Sequence, residues 1–542
     1  MDLHEFARTA ARIRERARAE GRLTENPDET TLRGMLARQP GARMTAYGNY
    51  VAESEPTSRA ASFTKNSVDS QFGEEEERLL SQCEEAMSTM RLISVDRVVG
   101  NRNSSTTVRL TLPESFAHVA YGGQNLFLPP LGEVVEPTYE ILMYGDESFE
   151  RNKSLPLSEK DIAIRLAMLD DGRVVKVVRN SNYIGEYKKG VFAAADWTAK
   201  TYGPGIFLHA GCREDRLQSA HGDYRTVRTL LVALSANGKT TTTSRILARK
   251  GSEKSWLVQD DGGTLMPDGS FRGFEGGGVF VKTEGVNPGT QAEIYYGLLK
   301  PSTTCENVYV DENGEFDFYD LQRTSNGRAV VRRENFMHAS TFIDVDRVDN
   351  LVLITRGPLI PALSRLTREQ AAALMVLGQA MESSAGNPAL AGKIKREFFY
   401  DPFVAGDRAA HANRFYDILK GLPNMNYYLL NTGNIGVFRA ESSDLDEAGD
   451  SRYRDIKLEH TMAILDSLLR GGLEDWEESP TGFQVPRSVR NLDDIYLHPE
   501  KLFTSAEFEE NQKGLNHVRC EAIEQLGSGL DPAIRGVFAR SA

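Results

Sequence analysis

Residues suited to nucleotide phosphate chemistry lie together in the segment ALSANGKT at residues 233–240. In phosphate-binding loops, backbone N–H groups surround the phosphates, a lysine meets the outer ones, and a threonine hydroxyl binds Mg²⁺. Lys239 and Thr240 would take the last two roles here, although Ala233 stands where the motif has glycine. The apolar run at residues 230–234 predicts a strand before the loop, and Lys239 begins a predicted helix. A chance Gly-Lys-Thr turn is the alternative.

A second candidate group is the carboxylate pair Asp260 and Asp261, which follows the apolar run at residues 256–258. A carboxylate at a strand end, downstream of a phosphate loop, can hold the divalent ion that bridges nucleotide oxygens. The simpler interpretation of Asp-Asp-Gly-Gly is a turn. The pair alone therefore leaves a metal site and a turn open.

The segment YIGEYKKG at residues 183–190 places Tyr183 near two lysines, Lys188 and Lys189. Paired lysines are typical of a solvated surface. In a site, however, a desolvated or metal-bound lysine can lose its proton and act as a neutral ligand. His209 lies in an apolar run that predicts a buried strand, where a hydrogen-bonded core histidine is the alternative to a ligand. Two weaker signals are FEGGGVFVK and TSNGR, which are glycine-containing turns followed by Lys282 and Arg328.

The elements that must position these groups alternate between strands and helices. Strands are predicted at residues 107–112 and 174–178, and helices at 367–381 and 459–469. Thr367 with Gln370 predicts a capping box. These segments indicate an α/β protein with two lobes, at residues 1–205 and 206–542.

Composition excludes several classes of protein. The formal charge of −13 argues against nucleic-acid binding as the main task, because that needs a basic surface. No apolar run approaches the ~20 residues that a membrane span requires. Four scattered cysteines indicate neither a zinc site nor a disulfide scaffold, which favours a reducing cytoplasm. The arginine-rich residues 1–23 predict an exposed amphipathic helix, with a transit peptide as the alternative.

In combination and order, these segments resemble the ATP-dependent phosphoenolpyruvate carboxykinases. The resemblance extends from about residue 57 to about residue 469, with weaker traces to residue 525. The fragments that carry it are TSRA, YIGEYKKG, LHAGC, ALSANGKT, VQDD, FEGGGVFVK, ENVYVDENGEFDF and TSNGR. It implies a two-lobed carboxykinase-like fold, with an N-terminal substrate-binding lobe at residues 1–205 and a C-terminal P-loop nucleotide-binding lobe at 206–542. The implied reaction converts oxaloacetate and ATP to phosphoenolpyruvate, ADP and CO₂, in a cytoplasmic monomer.

The resemblance also implies a role for each matching residue. Arg59 and Tyr183 would contact the dicarboxylate or CO₂, and Lys188 and Arg328 would lie against the substrate and the transferred phosphoryl group. Mn²⁺ would be bound by Lys189, His209 and one of Asp260 and Asp261, with Asp261 the better match to the direct ligand. ATP with its Mg²⁺ would be bound by Ala233, Leu234, Ser235, Ala236, Asn237, Gly238, Lys239, Thr240, Thr241, Lys282, Gln291, Arg328, Arg454 and Thr461.

The departures from the family pattern concern the nucleotide. Gln291 replaces a glutamate that the family usually carries near the nucleotide, and Arg454 is displaced by one residue. Residues 235–238 also resemble the GTP-dependent class, whereas YIGEYKKG and ENVYVDENGEFDF favour the ATP class. Two other functions stay open, a kinase of the same fold acting on another acceptor and a catalytically silent nucleotide-binding regulator.

Overall fold

The computed structural model describes residues 1–55, 63–233, 238–249, 251–323, 325–381, 394–396, 404–436 and 452–539 of the chain. The chain forms two compact units. Met1–Gly203 and Gly273–Ile343 form the first, and Pro204–Arg272 and Asp344–Ala542 form the second. The predicted boundary after residue 205 lies beside the first change of unit. The prediction placed residues 273–343 in the C-terminal lobe, whereas in the structure they belong to the first unit.

The first unit begins with a mixed sheet and its helices. Up to Gly203 the elements are α1 (His4–Ala19), β1 (Leu23–Glu25), α2 (Glu29–Leu36), β2 (Arg43–Met44), β3 (Tyr50–Ala52), β4 (Thr64–Asn66), α3 (Glu74–Met87), β5 (Leu92–Val98), β6 (Thr107–Pro113), α4 (Ala117–Leu126), β7 (Tyr139–Tyr144), α5 (Phe149–Asn152), β8 (Ala163–Met168), β9 (Val174–Arg179) and α6 (Ile184–Tyr202). The sheet order is β1-β5-β6-β7-β9-β8-β4. The amphipathic helix α1 buries Phe6, Ala10, Ile13 and Ala17 in the same core cluster as residues of this sheet.

The next stretch belongs mainly to the second unit. It contains β10 (Ile206–Leu208), β11 (Ala210–Gln218), β12 (Tyr224–Ala233), α7 (Lys239–Ser244), β13 (Lys254–Gln259), β14 (Gly263–Leu265) and β15 (Phe271–Gly273). The chain then returns to the first unit with β16 (Gly278–Lys282), α8 (Ala292–Leu298), β17 (Thr304–Glu306), β18 (Tyr309–Val310), β19 (Phe316–Asp317) and β20 (Arg328–Arg332). Strand pairing explains this return, because the second sheet of the first unit has the order β16-β20-β17-β3-β2. Strands β16, β20 and β17 of this sheet come from the returning segment, and β3 and β2 come from the N-terminal part of the chain.

The remaining elements complete the second unit. They are β21 (Asp344–Val345), β22 (Asn350–Thr355), β23 (Leu363–Leu366), α9 (Arg368–Leu377), β24 (Gln379–Met381), β25 (Ile394–Arg396), α10 (Arg408–Lys420), β26 (Asn426–Asn431), β27 (Asn434–Gly436), β28 (Tyr453–Asp455), α11 (Leu458–Leu469), β29 (Trp476–Glu478), β30 (Gln484–Pro486), α12 (Ser505–Glu524) and α13 (Pro532–Arg535). Short 3₁₀ helices lie at Glu114–Phe116, Leu157–Glu159, Arg333–Asn335, Asp494–Leu497 and Pro499–Leu502.

The large sheet of the second unit has the order β13-β11-β12-β22-β26-β23-β30-β29. Its central strands β12, β22 and β26 are parallel to one another. In β12, Leu230 and Val232 lie in one core cluster, whereas Leu231 and Ala233 lie in another. Because side chains alternate along a strand, both faces of this sheet are covered, as parallel strands require.

Most predicted elements are confirmed. Strands at 107–112 and 174–178 are β6 and β9, and the helix at 459–469 is α11. The predicted helix at 367–381 is wrong in its last turn, because α9 ends at Leu377 and β24 begins at Gln379. Gly378 has φ +47°, a left-handed conformation that ends helices and favours glycine. Thr367 and Gln370 form the predicted capping box.

None of the helices in the described ranges combines the length and the apolar character that crossing a bilayer demands. All four cysteines lie in described segments and are free thiols. The structure thus agrees with the cysteine pattern in the sequence, which indicated no disulfide scaffold.

Candidate functional site

The strand and helix that flank the predicted phosphate loop are present in the second unit. Strand β12 ends at Ala233, and α7 begins at Lys239. Gly238, directly before the helix, has φ +84°, which a side chain would strain. Thr240 and Thr241 are half-buried in the first turn of α7. The predicted loop residues Leu234, Ser235, Ala236 and Asn237 lie outside the described residues.

Lys239, His209 and Asp261 meet within the second unit. The Lys239 ammonium forms an ion pair with Oδ1 of Asp261, and His209 Nε2 lies 3.1 Å from the same oxygen. Lys239 Nζ also donates to the backbone carbonyl oxygen of His209 at 3.5 Å. A predicted phosphate-binding lysine therefore lies beside two predicted metal ligands.

The sheet explains why these residues meet. His209 lies between β10 and β11, and Asp261 follows the end of β13. Strands β11 and β13 pair antiparallel, with Cys212 opposite Gln259, so the start of one strand adjoins the end of the other. Both side chains therefore lie at the edge of the sheet where β12 leads into the loop before α7.

Gly211, in the LHAGC segment, permits close packing behind this group. A Cβ atom at Gly211 would lie 2.3 Å from Thr243 Oγ1 of α7 and 2.9 Å from the carbonyl oxygen of Asp260. Any larger residue would push α7 and the end of β13 away from β11. Asp260 itself is buried, in contrast to the partly exposed Asp261.

The donors at this edge suit a divalent cation. His209 supplies an imidazole nitrogen and Asp261 a carboxylate oxygen, a set that fits transition ions such as Mn²⁺. Among the residues that the structure describes, no group of three or more His, Cys, Asp or Glu side chains could hold a metal ion. The family resemblance in the sequence implies a lysine as a further ligand.

Arg213 is a positioning residue that sequence inspection missed. It is 1% exposed and forms an ion pair with Asp215, at 2.6 Å from Nε to Oδ2 and 2.8 Å from Nη2 to Oδ1. Its guanidinium also donates to the carbonyl oxygens of Thr242 at 2.6 Å and Arg245 at 2.9 Å, at the C-terminal end of α7. A cation there satisfies carbonyls that the helix leaves unpaired. The run of four charged residues at 213–216 was the available signal.

The lysine pair lies in the first unit, near the start of α6. Tyr183 is the N-cap residue of this helix. Lys188 is 2% exposed, so the predicted solvated surface does not hold for it. Its Nζ lies 2.9 Å from Oε1 of Glu275, and also 4.8 Å from the ring centroid of Phe280. Lys189 Nζ lies 5.2 Å from the ring centroid of Tyr183, a cation–π distance.

A buried ion pair supports the first turns of α6. Lys176 Nζ, from β9, lies 2.8 Å from Oε2 of Glu186 and 2.6 Å from its carbonyl oxygen. Burial raises the pKa of Glu186, but the charges of Lys176 and Lys189 outweigh it and leave the pKa lowered. A Cβ at Gly190 would lie 2.7 Å from Lys176 Cδ. Gly190, the last residue of YIGEYKKG, therefore makes room for Lys176, which binds this helix.

Tyr183 and Arg328 are neighbours in the first unit. Burial raises the pKa of Tyr183, while the positive charge of Arg328 and a hydrogen bond with Asn326 oppose that rise. Asn326 has φ +64°, and its backbone N–H donates to Glu284 at 3.0 Å. The TSNGR turn thus brings its arginine toward the helix that carries the lysine pair. Thr324 of that turn is outside the described residues.

The remaining predicted nucleotide residues fall into both units. In the first, Lys282 lies opposite Arg328 across β16 and β20 and pairs with Glu284 at 2.5 Å, and Gln291 is the N-cap residue of α8. In the second, Arg454 lies in β28, and the buried Thr461 in α11 donates through Oγ1 to the Lys457 carbonyl at 3.5 Å. Arg59 lies outside the described residues.

Comparisons with known proteins identify the family of this chain. The family model described as phosphoenolpyruvate carboxykinase matches residues 19–495. A protein of Aeropyrum pernix named phosphoenolpyruvate carboxykinase (ATP) is 29% identical over 418 residues, 76% of this chain and 76% of that protein. Proteins of the same name from Nitrobacter hamburgensis and Neurospora crassa are 27% and 25% identical, over 68% and 81% of this chain.

The matched stretches span 64% of the Nitrobacter protein and 69% of the Neurospora protein. The family match extends beyond both ends of the segments that carry the site residues, from Tyr183 to Thr461. The chain belongs to the phosphoenolpyruvate carboxykinase family.

Proposed function

We propose that this chain catalyses the ATP-dependent conversion of oxaloacetate to phosphoenolpyruvate, ADP and CO₂. The observation that carries the proposal is the contact of Lys239, Asp261 and His209 in the second unit. It brings a lysine suited to phosphate together with a nitrogen and an oxygen donor suited to a metal. Membership of the carboxykinase family supports the same reaction.

In this proposal, ATP and its Mg²⁺ bind at the start of α7, which makes the second unit the P-loop lobe. The left-handed Gly238 lies directly before the helix, where the phosphates would meet backbone N–H groups. Lys239 would then exchange its pairing with Asp261 for the outer phosphates, and Thr240 would present its hydroxyl to Mg²⁺. Arg213 would hold the far end of the helix fixed during this exchange.

His209 and Asp261 would hold Mn²⁺, with Lys189 as the further ligand that the family resemblance implies and Asp260 acting through water. When bound, this ion stabilises the negative charge that develops on the enolate oxygen. The contact between His209 and Asp261 supports Asp261 rather than the more buried Asp260 as the direct ligand.

In the first unit, Lys188, Tyr183 and Arg328 are proposed to bind the dicarboxylate and the transferred phosphoryl group. Lys188 is held beside Glu275 and two aromatic rings, so its ammonium is oriented before substrate arrives. Cleavage of the C–C bond releases CO₂ and leaves an enolate, whose oxygen attacks the γ-phosphoryl group and displaces ADP. Positively charged side chains in fixed positions stabilise both the negative charge of the bound substrate and that of the enolate. We further propose that the protein is a cytoplasmic monomer.

The direct test supplies purified protein with Mn²⁺, ATP and oxaloacetate and measures phosphoenolpyruvate and ADP together. We expect the two products in equal amounts, with no ADP formed when oxaloacetate is omitted. ADP without phosphoenolpyruvate would instead indicate a kinase acting on another acceptor. Tight ATP binding with no product would indicate a catalytically silent regulator.

A further inference from the structure

A cavity of about 520 Å³ opens within the first unit, at a place that the proposed reaction does not use. Its walls come from β5, the C-terminal end of α4, the glycines before β16 and the turn after β20. Tyr183, Lys188, Lys189 and Arg328 are not among the residues that line it. A volume of this size accommodates a small organic metabolite.

Three arginines line this cavity, and Arg97 is the most deeply placed. Arg97 lies in β5 and is 5% exposed. Its Nη1 donates to the carbonyl oxygen of Asp96 at 2.7 Å, whereas its Nε has no hydrogen-bond partner in the part of the chain that the structure describes. Burial lowers the pKa of Arg97, which expresses the cost of keeping this charge away from water. A bound anion would offset that cost.

Arg332 and Arg333 complete the basic wall, at the end of β20 and the start of a 3₁₀ helix. Arg332 is oriented by Glu29 at 2.7 Å and by Asn125 at 2.9 Å. Arg333 is 8% exposed, and its backbone N–H donates to Gly277 at 2.9 Å. Two partners therefore hold the Arg332 side chain, and Arg333 is largely buried.

Two carboxylates also line the cavity, and they leave it with a net positive charge. Glu29 is already bound by Arg332 and by the Tyr121 hydroxyl at 2.7 Å. The Glu334 side chain is 72% exposed and lies 3.9 Å from Arg332. Three cations thus face two carboxylates, one of which points into water, where its charge is screened.

The other walls are apolar and compact. Phe127, Leu128 and Pro129 follow the end of α4 and line the cavity beside Gly276 and Gly277. A Cβ at Gly276 would lie 2.6 Å from Leu128 Cδ1, and one at Gly277 would lie 2.8 Å from the Asn125 carbonyl oxygen. The glycines let this apolar wall close against the segment that follows Glu275.

From this combination we propose that the cavity binds a small organic anion, with a carboxylate or phosphate at Arg97 and Arg333 and a partly apolar body against Phe127 and Leu128. Planar guanidinium groups bind both oxyanions through paired hydrogen bonds. The apolar wall selects against inorganic ions, which have no surface to bury there. The proposal is independent of the reaction catalysed elsewhere in the chain.

The test measures binding to the full chain by titration calorimetry, with three probes that each contain a phenyl ring. Phenyl phosphate and phenylacetate carry the two possible head groups, and benzyl alcohol is uncharged. We expect at least one anion to bind and benzyl alcohol to bind at least about tenfold more weakly. The stronger anion identifies the preferred head group. Absence of binding by both anions, or equal binding of all three probes, would overturn the proposal.

Matched variants locate the binding. Thr341 is an exposed residue that lines the cavity, so Thr341→Glu adds a negative charge without disturbing the core. We expect Thr341→Glu to weaken anion binding about tenfold and Thr341→Gln to leave it unchanged. Arg97→Gln should abolish it, and Arg328→Gln, at the proposed catalytic site, should retain it. Wild-type affinity in both Thr341→Glu and Arg97→Gln would refute the assignment.

Discussion

At the scale of single residues, the proposed chemistry rests on the contact between groups that lie far apart in the sequence. His209 and Lys239 both contact Oδ1 of Asp261, at an edge of the sheet in the second unit. Each residue alone had an ordinary structural interpretation: a core histidine for His209, a chance Gly-Lys-Thr turn for Lys239 and an Asp-Asp-Gly-Gly turn for Asp261. Their contact favours the chemical interpretation, because a buried ammonium and an imidazole are brought to one carboxylate.

Asp261→Asn tests the assignment of the direct metal ligand. The amide keeps the shape of the side chain but loses the charge that pairs with Lys239 and would bind the cation. We expect kcat to fall by about 10²–10³-fold, because a first ligand matters more than its outer partners. Steady-state kinetics across a Mn²⁺ titration would measure this. Asp260→Asn is the matched control. A larger fall in kcat in that variant would make Asp260, and not Asp261, the direct metal ligand.

Lys189→Met tests the role of the lysine pair. The methionine keeps the length of the side chain and removes its nitrogen, so turnover should be lost while ATP affinity changes less than about twofold. The reason is that the proposed ATP-binding lysine, Lys239, lies in the other unit. Single-turnover assays and ATP titration would separate the two effects. Lys239→Met should lose ATP affinity instead, and undiminished turnover in Lys189→Met would contradict the metal assignment.

At the scale of elements, α7 is a short helix whose position depends on partners outside itself. A helix of six residues has little stability of its own. Gly211 lets it approach β11, and Arg213 binds its last carbonyls while pairing with Asp215. The helix that carries Lys239 is therefore fixed by the neighbouring strand.

Arg213→Met should show this dependence. Removing the guanidinium leaves Asp215 buried without its cation, which costs about 3–5 kcal/mol of unfolding free energy. The double variant Arg213→Met with Asp215→Leu should recover much of that stability, because both charges are then gone. ATP affinity should remain reduced in the double variant, since the carbonyls of α7 still lack their donor. Denaturant unfolding and ATP titration would distinguish the two effects, and full recovery of affinity would contradict the positioning role.

At the scale of the whole molecule, Glu253 joins segments that are distant in sequence within the second unit. It forms an ion pair with Arg470, directly after α11, and accepts from the backbone N–H groups of Gln218 at 3.0 Å and Arg249 at 2.7 Å. The Arg470 hydrogen bond is the main cause that lowers the Glu253 pKa to about 2. The segment after α7 and the helix that carries Thr461 are thereby linked.

This pKa gives the second unit an acid-sensitive contribution to stability. The ordinary value is 4.5, so the stabilisation is fully present above about pH 4.5 and is lost as pH falls toward 2. Glu253→Gln should lose about 2 kcal/mol near neutral pH, because a charge-assisted contact is replaced by a neutral one. Denaturant unfolding from pH 7 to pH 3 would show a smaller loss of stability in Glu253→Gln than in the wild type. Identical pH profiles would contradict the assignment.

The sequence by itself determined the family and much of the secondary structure. Segments with strong local signals, such as the apolar alternation of β6 and the capping box of α9, were predicted because those signals arise between near neighbours in the chain. The continuation of α9 to residue 381 was not correctly predicted, since Gly378 overrides the apolar periodicity. Ordered motifs, read together, indicated the carboxykinase family that the comparisons then showed.

Only the tertiary structure decided which groups touch and where the chain returns. Residues 273–343 join the first unit because β17 pairs with β3 there, a contact between distant segments that periodicity does not encode. The contacts of Asp261 with His209 and Lys239, the contacts of Arg213 with α7 and the basic cavity at Arg97 likewise depend on strand register and burial. Local sequence predicts an element, whereas packing between elements sets the distances and the desolvation on which chemistry depends.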